Sequence, residues 1–139
     1  MEDRLQYVWK HRLYAESDLI TADGTPIFVI DAGIRNTDAG PDFFNAKIRI
    51  GDTVWAGNIE IHQRASDWYT HGHHKDKAYD SVVLHVVGED GSPVRRSDRQ
   101  LVPQAVLRIP EKITEHINWL LSRDTPVPCA GRLYRVPAI

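Results

Sequence analysis

The sequence is poor in cysteine and has no long hydrophobic run. Cys129 is the one cysteine among 139 residues, so it cannot form an internal disulfide or build a thiolate zinc site by itself. This agrees with a reducing compartment, and we expect Cys129 to be a structural thiol. The longest apolar runs, such as residues 27–30, are far too short to span a bilayer. The first residues also lack the pattern of a signal peptide, so we expect a cytoplasmic protein with no membrane partner.

A strong charge of one sign is missing as well. The 17 basic and 19 acidic residues give a formal net charge of -2, which argues against non-specific wrapping of nucleic acid but leaves room for a local basic groove. Nine glycines and eight prolines are an ordinary share, which disfavours disorder and fibrous repeats. We expect one domain over residues 1–123. Residues 124–139, with three prolines and little periodicity, are expected to form an arm that leads into a further part of a longer chain.

The hydrophobic pattern predicts a helix, three strands, a short helical segment and a fourth strand. Apolar residues with helical spacing over residues 3–15 predict the first helix. The pair Asp23-Gly24 predicts a tight turn before a buried strand. Gly72 makes any helix capped by Ser66 short or broken. The other predicted elements are strands near 44–50, 54–62 and 82–87, a hairpin around 94–101 with an edge segment at Pro103, and a last helix opened by Pro110.

Two acidic residues and a histidine are expected to meet at one end of the second and third strands. Asp42 stands before the second strand, and Glu60 and His62 lie near the end of the returning third strand. Two converging carboxylates repel each other unless a cation neutralises them, and a divalent ion is the usual remedy. Such an ion activates water and stabilises a phosphoryl transition state.

A regular hairpin does not bring these three residues to one face. With a two-residue turn at Gly51-Asp52, Asp42 pairs with Ile61, which leaves Glu60 and His62 on the opposite face. A bulge at Ala56-Gly57 would set Asp42 opposite His62, and a bend at Pro41 would swing Asp42 round instead. We predict one of these distortions and favour the bulge.

The segments Gly40-Pro41-Asp42 and Glu60-Ile61-His62 resemble the P-D and (D/E)-x-K elements of the PD-(D/E)XK nuclease-like superfamily. The resemblance implies an α/β fold with a restriction-endonuclease-like αβββαβ core and a mixed sheet, here with an extra hairpin and a C-terminal helix. It also implies metal-dependent phosphodiester hydrolysis. His62 stands in the place of the motif's lysine, which shifts metal preference from magnesium toward manganese, iron or zinc. Manganese or magnesium is the favoured cofactor, ahead of zinc.

The chain also resembles an uncharacterised bacterial family known only as a domain of unknown function. The resemblance runs from about Leu5 to Ile109 and implies that the chain is the N-terminal part of a longer protein. It supplies no reaction. Its strongest segments are residues 7–12, 38–43, 55–62, 66–68 and 84–87, which read YVWKHR, DAGPDF, WAGNIEIH, SDW and LHVV.

In the nuclease hypothesis, Asp42 and Glu60 hold the ion and His62 positions or deprotonates water. Asp38 is the expected auxiliary ligand, ahead of Glu16 or Glu2. The simpler alternatives are that Asp42 caps a turn and that Glu60 and His62 lie on the solvent face of an edge strand.

A second set of candidates lies between the third and fourth strands. His71, His73 and His74 stand beside Asp76 and Asp80 and suggest zinc, but their spacing fits no closed four-ligand pattern. A polar loop with one histidine turned toward the site is the favoured interpretation. His71, His73 and Trp68 are therefore auxiliary candidates, and Trp68 could also stack a base. His85 is expected to be a hydrogen-bonded core histidine.

Arg95, Arg96 and Arg99 surround a predicted turn and could contact the phosphates of a nucleic acid, although a solvated turn explains them as well. Two further functions stay open beside the nuclease. One is a catalytically degenerate nuclease-like fold that binds nucleic acid or protein. The other is a histidine-dependent metallohydrolase that acts on a small molecule.

Overall fold

One mixed sheet organises residues 2–122, which are the part of the chain that the computed structural model describes. The six strands have the order β1-β3-β4-β5-β6, with β2 paired to β3. Pairs among β1, β3 and β4 are antiparallel, whereas β4, β5 and β6 run parallel. The elements are α1 (Glu2–His11), β1 (Ile27–Asp31), β2 (Ile34–Arg35), β3 (Phe43–Ile50), β4 (Thr53–His62), α2 (Asp67–Thr70), β5 (Val82–Val87), β6 (Gln104–Val106) and α3 (Glu111–Ser122).

The predicted α/β class and mixed sheet are confirmed. The turn at Asp23-Gly24 joins a short antiparallel bridge to β1, α2 is a single turn, and β6 after Pro103 is an edge strand. The first helix is shorter than the predicted 3–15, because Arg12 adopts a left-handed φ of 56° and donates to the carbonyl oxygens of β1. No described helix is long and apolar enough to cross a membrane. The predicted arm at 124–139, with Cys129, lies outside the described residues.

The two faces of the central strands bury different kinds of residue. One face of β4 and β5 packs beneath α1 and is apolar, and the indole N–H of Trp9 in α1 donates to the carbonyl oxygen of Ala32 at 3.0 Å. The other face carries Glu60, His62 and His85. Residues 65–79 and the 94–102 hairpin cover that second face through a smaller apolar cluster of Trp68, Tyr79, Val82, Val94 and Val102.

A bulge in β3 brings Asp42 to the same face as Glu60. Phe43 lies opposite Ile59, but Ala46 lies opposite Gly57, so β3 has one more residue than β4 over this stretch. The predicted bulge therefore exists, but its predicted position at Ala56-Gly57 is wrong, because the extra residue belongs to the partner strand. Asn45 there has a φ of 59°, a left-handed conformation that asparagine tolerates. The shift places Asp42 beside Glu60 rather than opposite His62.

Gly57 has a packing role instead. A Cβ atom at this position would lie 2.5 Å from Val83 Cγ1 and 2.6 Å from the carbonyl oxygen of Ser81. Both atoms belong to the segment that pairs with β4, since the backbone N–H of Asn58 donates to the Ser81 carbonyl at 2.9 Å. Gly57 therefore allows the start of β5 to approach β4.

We predict that Gly57→Ala lowers the free energy of unfolding by about 1–3 kcal/mol, because the added methyl group overpacks the β4–β5 contact. Urea denaturation followed by circular dichroism measures the change. Ala56→Val, at the exposed neighbouring position, is the control and should stay within about 0.5 kcal/mol. Equal stability of the Gly57→Ala protein and the wild type would contradict this account of the contact.

Candidate metal centre

Asp42 and Glu60 meet where β3 begins and β4 ends. Glu60 Oε1 accepts a hydrogen bond from the backbone N–H of Asp42 at 3.2 Å, and Asp42 Oδ2 accepts one from the N–H of Ile61 at 2.8 Å. Glu60 is 5% exposed and His62 is 1% exposed. The alternative that they lie on the solvent face of an edge strand is wrong, because β4 is a central strand and this face is covered.

Three imidazoles gather beside the Glu60 carboxylate. Glu60 Oε2 lies 2.8 Å from Nε2 of His73 and 3.1 Å from Nε2 of His62. His62, His71 and His73 each offer a ring nitrogen within 4.8 Å of the others, and this set could hold a metal ion. His62 and His73 are buried, whereas His71 is exposed, so the cluster opens to solvent on the side of His71.

A short reversal of the chain brings His71 and His73 together. His71 directly follows α2, and Gly72 has a left-handed φ of 74°, after which His73 begins a turn of 3-10 helix. The His73 ring stacks on Tyr79 with a centroid distance of 3.6 Å. The sequence favoured a single histidine turned toward the site, but two are present, because Gly72 lets both rings approach His62. His74 instead packs against Tyr69.

Trp68 supports this cluster from the side. Its ring contacts His73 and His85 edge-on, with centroid distances of 5.3 Å and 5.1 Å. Its indole N–H donates to the carbonyl oxygen of Arg95 at 2.9 Å. Trp68 is fully buried, and these contacts give it a packing role. Its stacking on a nucleic-acid base stays a prediction.

Burial and local charges separate the two carboxyl groups. Burial alone would raise the pKa of Glu60, but hydrogen bonds from His62 and His73 outweigh it and lower that pKa to about 2. Burial and the charge of Glu60 raise the pKa of Asp42 to about 7. For His62, burial opposes protonation, yet the contact with Glu60 raises its pKa. Glu60 is therefore the ionised member of the pair, and hydrogen bonds from His62 and His73 stabilise its negative charge.

A second layer of polar side chains lies behind His62. Its Nδ1 is 2.8 Å from Nε2 of His85, and His85 Nδ1 is 2.8 Å from Oε1 of Gln104. The expectation that His85 is a hydrogen-bonded core histidine is confirmed, and burial lowers its pKa to about 4. Gln104 was not predicted from the sequence. A glutamine in an otherwise apolar edge strand was the available signal.

The acidic residues that were expected as auxiliary ligands are not members of the cluster of His62, His71 and His73. Asp38 is exposed in a loop that the side chain of Asn36 organises through hydrogen bonds to three backbone carbonyls. It is not a member of the ligand cluster formed by the described residues. Glu2 begins α1 and adds to the negative charge that raises the pKa of His62. Glu16 is exposed in a separate 3-10 turn. Ligation by Asp38 stays a prediction.

Arg95 and Arg96 of the hairpin donate side-chain hydrogen bonds to backbone carbonyl oxygens. The Arg96 guanidinium donates to the carbonyl oxygen of Val82, at 2.7 Å from Nη2, and to that of Leu101. The Arg95 guanidinium donates to the carbonyl oxygen of Arg99 at 2.7 Å. The bonds from Arg96 to Val82 join the hairpin to β5, and the bonds to Leu101 and Arg99 lie within the hairpin. Contact of Arg95, Arg96 and Arg99 with phosphates stays a prediction.

We predict that Trp68→Phe lowers the free energy of unfolding by about 1–3 kcal/mol, because the Arg95 carbonyl loses its donor. Trp55→Phe is the matched control at a site where the side chain is 46% exposed, and it should change stability by about 0.5 kcal/mol or less. Chemical denaturation monitored by fluorescence measures both variants. Similar values for the two would show that the buried hydrogen bond contributes nothing.

The comparisons with known proteins identify a family but no activity. No curated protein and no solved structure matches the chain. A family model described as "Protein of unknown function (DUF2851)" matches residues 2–139. The expected resemblance to an uncharacterised family is thus confirmed, while the nuclease-like superfamily is not shown. The chain belongs to this family of unknown function.

Proposed function

We propose that His62, His71 and His73 bind a divalent transition-metal ion. The observation that carries this proposal is the convergence of three imidazole nitrogens within 4.8 Å, beside the buried carboxylate of Glu60. Imidazole ligands suit zinc and iron, whereas magnesium prefers oxygen ligands. The sequence favoured manganese or magnesium, and the three imidazoles shift the proposal toward zinc or iron.

The arrangement fits hydrolysis. A metal ion bound by three protein ligands lowers the pKa of a coordinated water and stabilises developing negative charge. Glu60 Oε2 lies beside Nε2 of both His62 and His73, so it would be placed to accept a proton from a water bound to an ion held there. Asp42 holds the other Glu60 oxygen through its backbone N–H and thereby orients the carboxylate. Solvent and substrate reach the cluster on the side of His71.

A phosphodiester is the substrate class that we favour. The chain segments that resemble the nuclease motif do meet, since Asp42 contacts Glu60 and His62 lies on the same face. The order of elements, a helix and antiparallel strands followed by a short helix and a parallel strand, also fits a restriction-endonuclease-like core. Both features support the hypothesis that the ion serves phosphoryl chemistry, with nucleic acid as the partner.

A small-molecule metallohydrolase is the second candidate, and one observation favours it. His62, His73 and Glu60 are all more than nine-tenths buried, so the opening to the cluster lies beside the exposed His71. A large substrate such as duplex nucleic acid must then present a single phosphate to this opening. The third candidate, a degenerate fold that only binds, predicts no reaction at all.

We predict that the purified wild-type protein binds about one zinc ion and that His71→Ala and His73→Asn each weaken binding by at least about tenfold. His74→Ala is the matched control from the same loop, because His74 packs against Tyr69 outside the cluster. Competition with a chromophoric chelator measures the affinity, and elemental analysis measures the stoichiometry. The metal proposal fails if neither zinc, iron nor manganese binds the wild type more tightly than roughly 1 mM.

We predict that the metal-loaded protein hydrolyses a chromogenic phosphodiester and that Glu60→Gln reduces the rate by about 10²–10⁴-fold, because the amide cannot accept the proton. Asp52→Asn, in the β3–β4 turn remote from the cluster, should retain the wild-type rate. Circular dichroism confirms that the variants are folded. Hydrolysis of other ester or amide substrates alone would favour the small-molecule enzyme. Equal binding of nucleic acid by all variants, without any cleavage, would favour the binding module.

A further inference from the structure

A continuous series of buried hydrogen bonds lies behind the cluster of His62, His71 and His73 and crosses three parallel strands. It begins at Gln104 in β6, passes through His85 in β5 and ends at His62 in β4. The three side chains are 8%, 0% and 1% exposed in that order. Because water is excluded from this series, each proton position depends on the neighbouring side chains.

The side-chain amide of Gln104 determines which atoms donate and which accept along this series of hydrogen bonds. Its Nε2 lies 3.2 Å from the carbonyl oxygen of Gly91 and 3.3 Å from that of Ser92, and both carbonyls can only accept. The opposite amide orientation would place Oε1 against two oxygen atoms without a proton between them. Gln104 Oε1 therefore faces His85 Nδ1, and since this oxygen only accepts, Nδ1 of His85 carries the proton.

His85 extends this order of donors and acceptors to His62. His85 is fully buried, and its hydrogen-bond partners are a histidine and a glutamine rather than a carboxylate, so its neutral form is favoured because burial penalises the charged form. With the proton on Nδ1, the Nε2 of neutral His85 has a lone pair and accepts a hydrogen bond. The atom that faces it at 2.8 Å is Nδ1 of His62. The proton shared by these rings therefore belongs to His62 Nδ1.

We propose that His85 and Gln104 are positioning residues that hold a proton on His62 Nδ1, so that Nε2, which donates to Glu60 while no ion is bound, is the nitrogen that releases its proton to solvent and binds the metal ion. Nε2 is the atom of His62 that lies beside Glu60 and His73. A neutral His62 with its proton on Nε2 would present an N–H to the ion and would have to change tautomer before binding. Metal-binding histidines usually donate their second ring N–H to a fixed acceptor, and here that acceptor is another histidine. The inference rests on the proposed metal site.

The test compares variants that keep or remove the acceptor. His85→Leu removes the acceptor that faces His62, whereas the side-chain oxygen of His85→Gln can replace it. Gln104→Leu removes the acceptor of His85 and frees this ring to reverse its tautomer. Val102→Ala is the control, because Val102 is buried in the segment before β6 but is not part of the series of hydrogen bonds.

We predict that His85→Leu and Gln104→Leu weaken zinc binding by about 10- to 100-fold, while His85→Gln and Val102→Ala stay within about threefold of the wild type. Chelator competition measures the affinity, and thermal unfolding of the metal-free proteins separates it from stability. Cobalt substitution gives a second measure, because its visible spectrum reports the ligand set. Equal losses in His85→Gln and His85→Leu, or none in either leucine variant, would overturn the positioning role.

Nuclear magnetic resonance tests the tautomers without any metal. Long-range nitrogen–proton correlations of the metal-free wild type should show the His85 proton on Nδ1, and Gln104→Leu should shift it toward Nε2. A proton on His85 Nε2 in the wild type would overturn the inference whether or not the protein binds zinc. Failure to bind zinc with the expected tautomers would instead reject the metal site and leave the series of hydrogen bonds as described.

Discussion

An extra residue in β3 decides which side chains share the buried polar face of β4. Without it, Asp42 would lie opposite Ile61 on the apolar face, and Glu60 would lie opposite Phe43. The N–H of Asn45 in the bulge donates to the side-chain oxygen of Asn58 at 3.1 Å, and Asn58 Nδ2 donates to Ser81 Oγ at 2.8 Å. Asn58 therefore joins the bulge in β3 to the segment that leads into β5.

The polar face is stable because each buried charge or ring has a partner. An isolated carboxylate with the burial of Glu60 would be strongly unfavourable. Two imidazoles and a backbone N–H satisfy its oxygens, Tyr79 stacks on one of these imidazoles, and His85 contacts the other. Removing any one partner leaves another group without its hydrogen bond, so the network acts as a unit. Such a network has few alternative packings, which suits a site that must present its ligands in one geometry.

The sequence predicts the elements of this fold better than the register between them. Periodicity locates the strands, and Gly51-Asp52 identifies the β3–β4 turn, because these signals are local. The position of the bulge depends on Asn58 and Ser81, which are far from Asn45 in the sequence, so a glycine in β4 was a misleading guide. Glu60 and His62 could be predicted from their alternation along one strand. The contact between Gln104 and His85 could not be predicted, because it depends on the parallel pairing of β6 with β5.

The position of His62 explains why the resemblance to the nuclease motif does not carry over unchanged. A lysine there would be a flexible cation with three donors, and the neutral ring of His85 could accept only one of them. An imidazole instead divides its two nitrogens between opposite sides, with Nδ1 toward His85 and Nε2 toward Glu60. A histidine at this position therefore supplies a ring nitrogen in a fixed position, where a lysine would supply a mobile positive charge. His71 and His73 bring two further imidazoles to this cluster, which could hold a metal ion. In the proposed metal site, nitrogen ligands would favour a transition metal over magnesium.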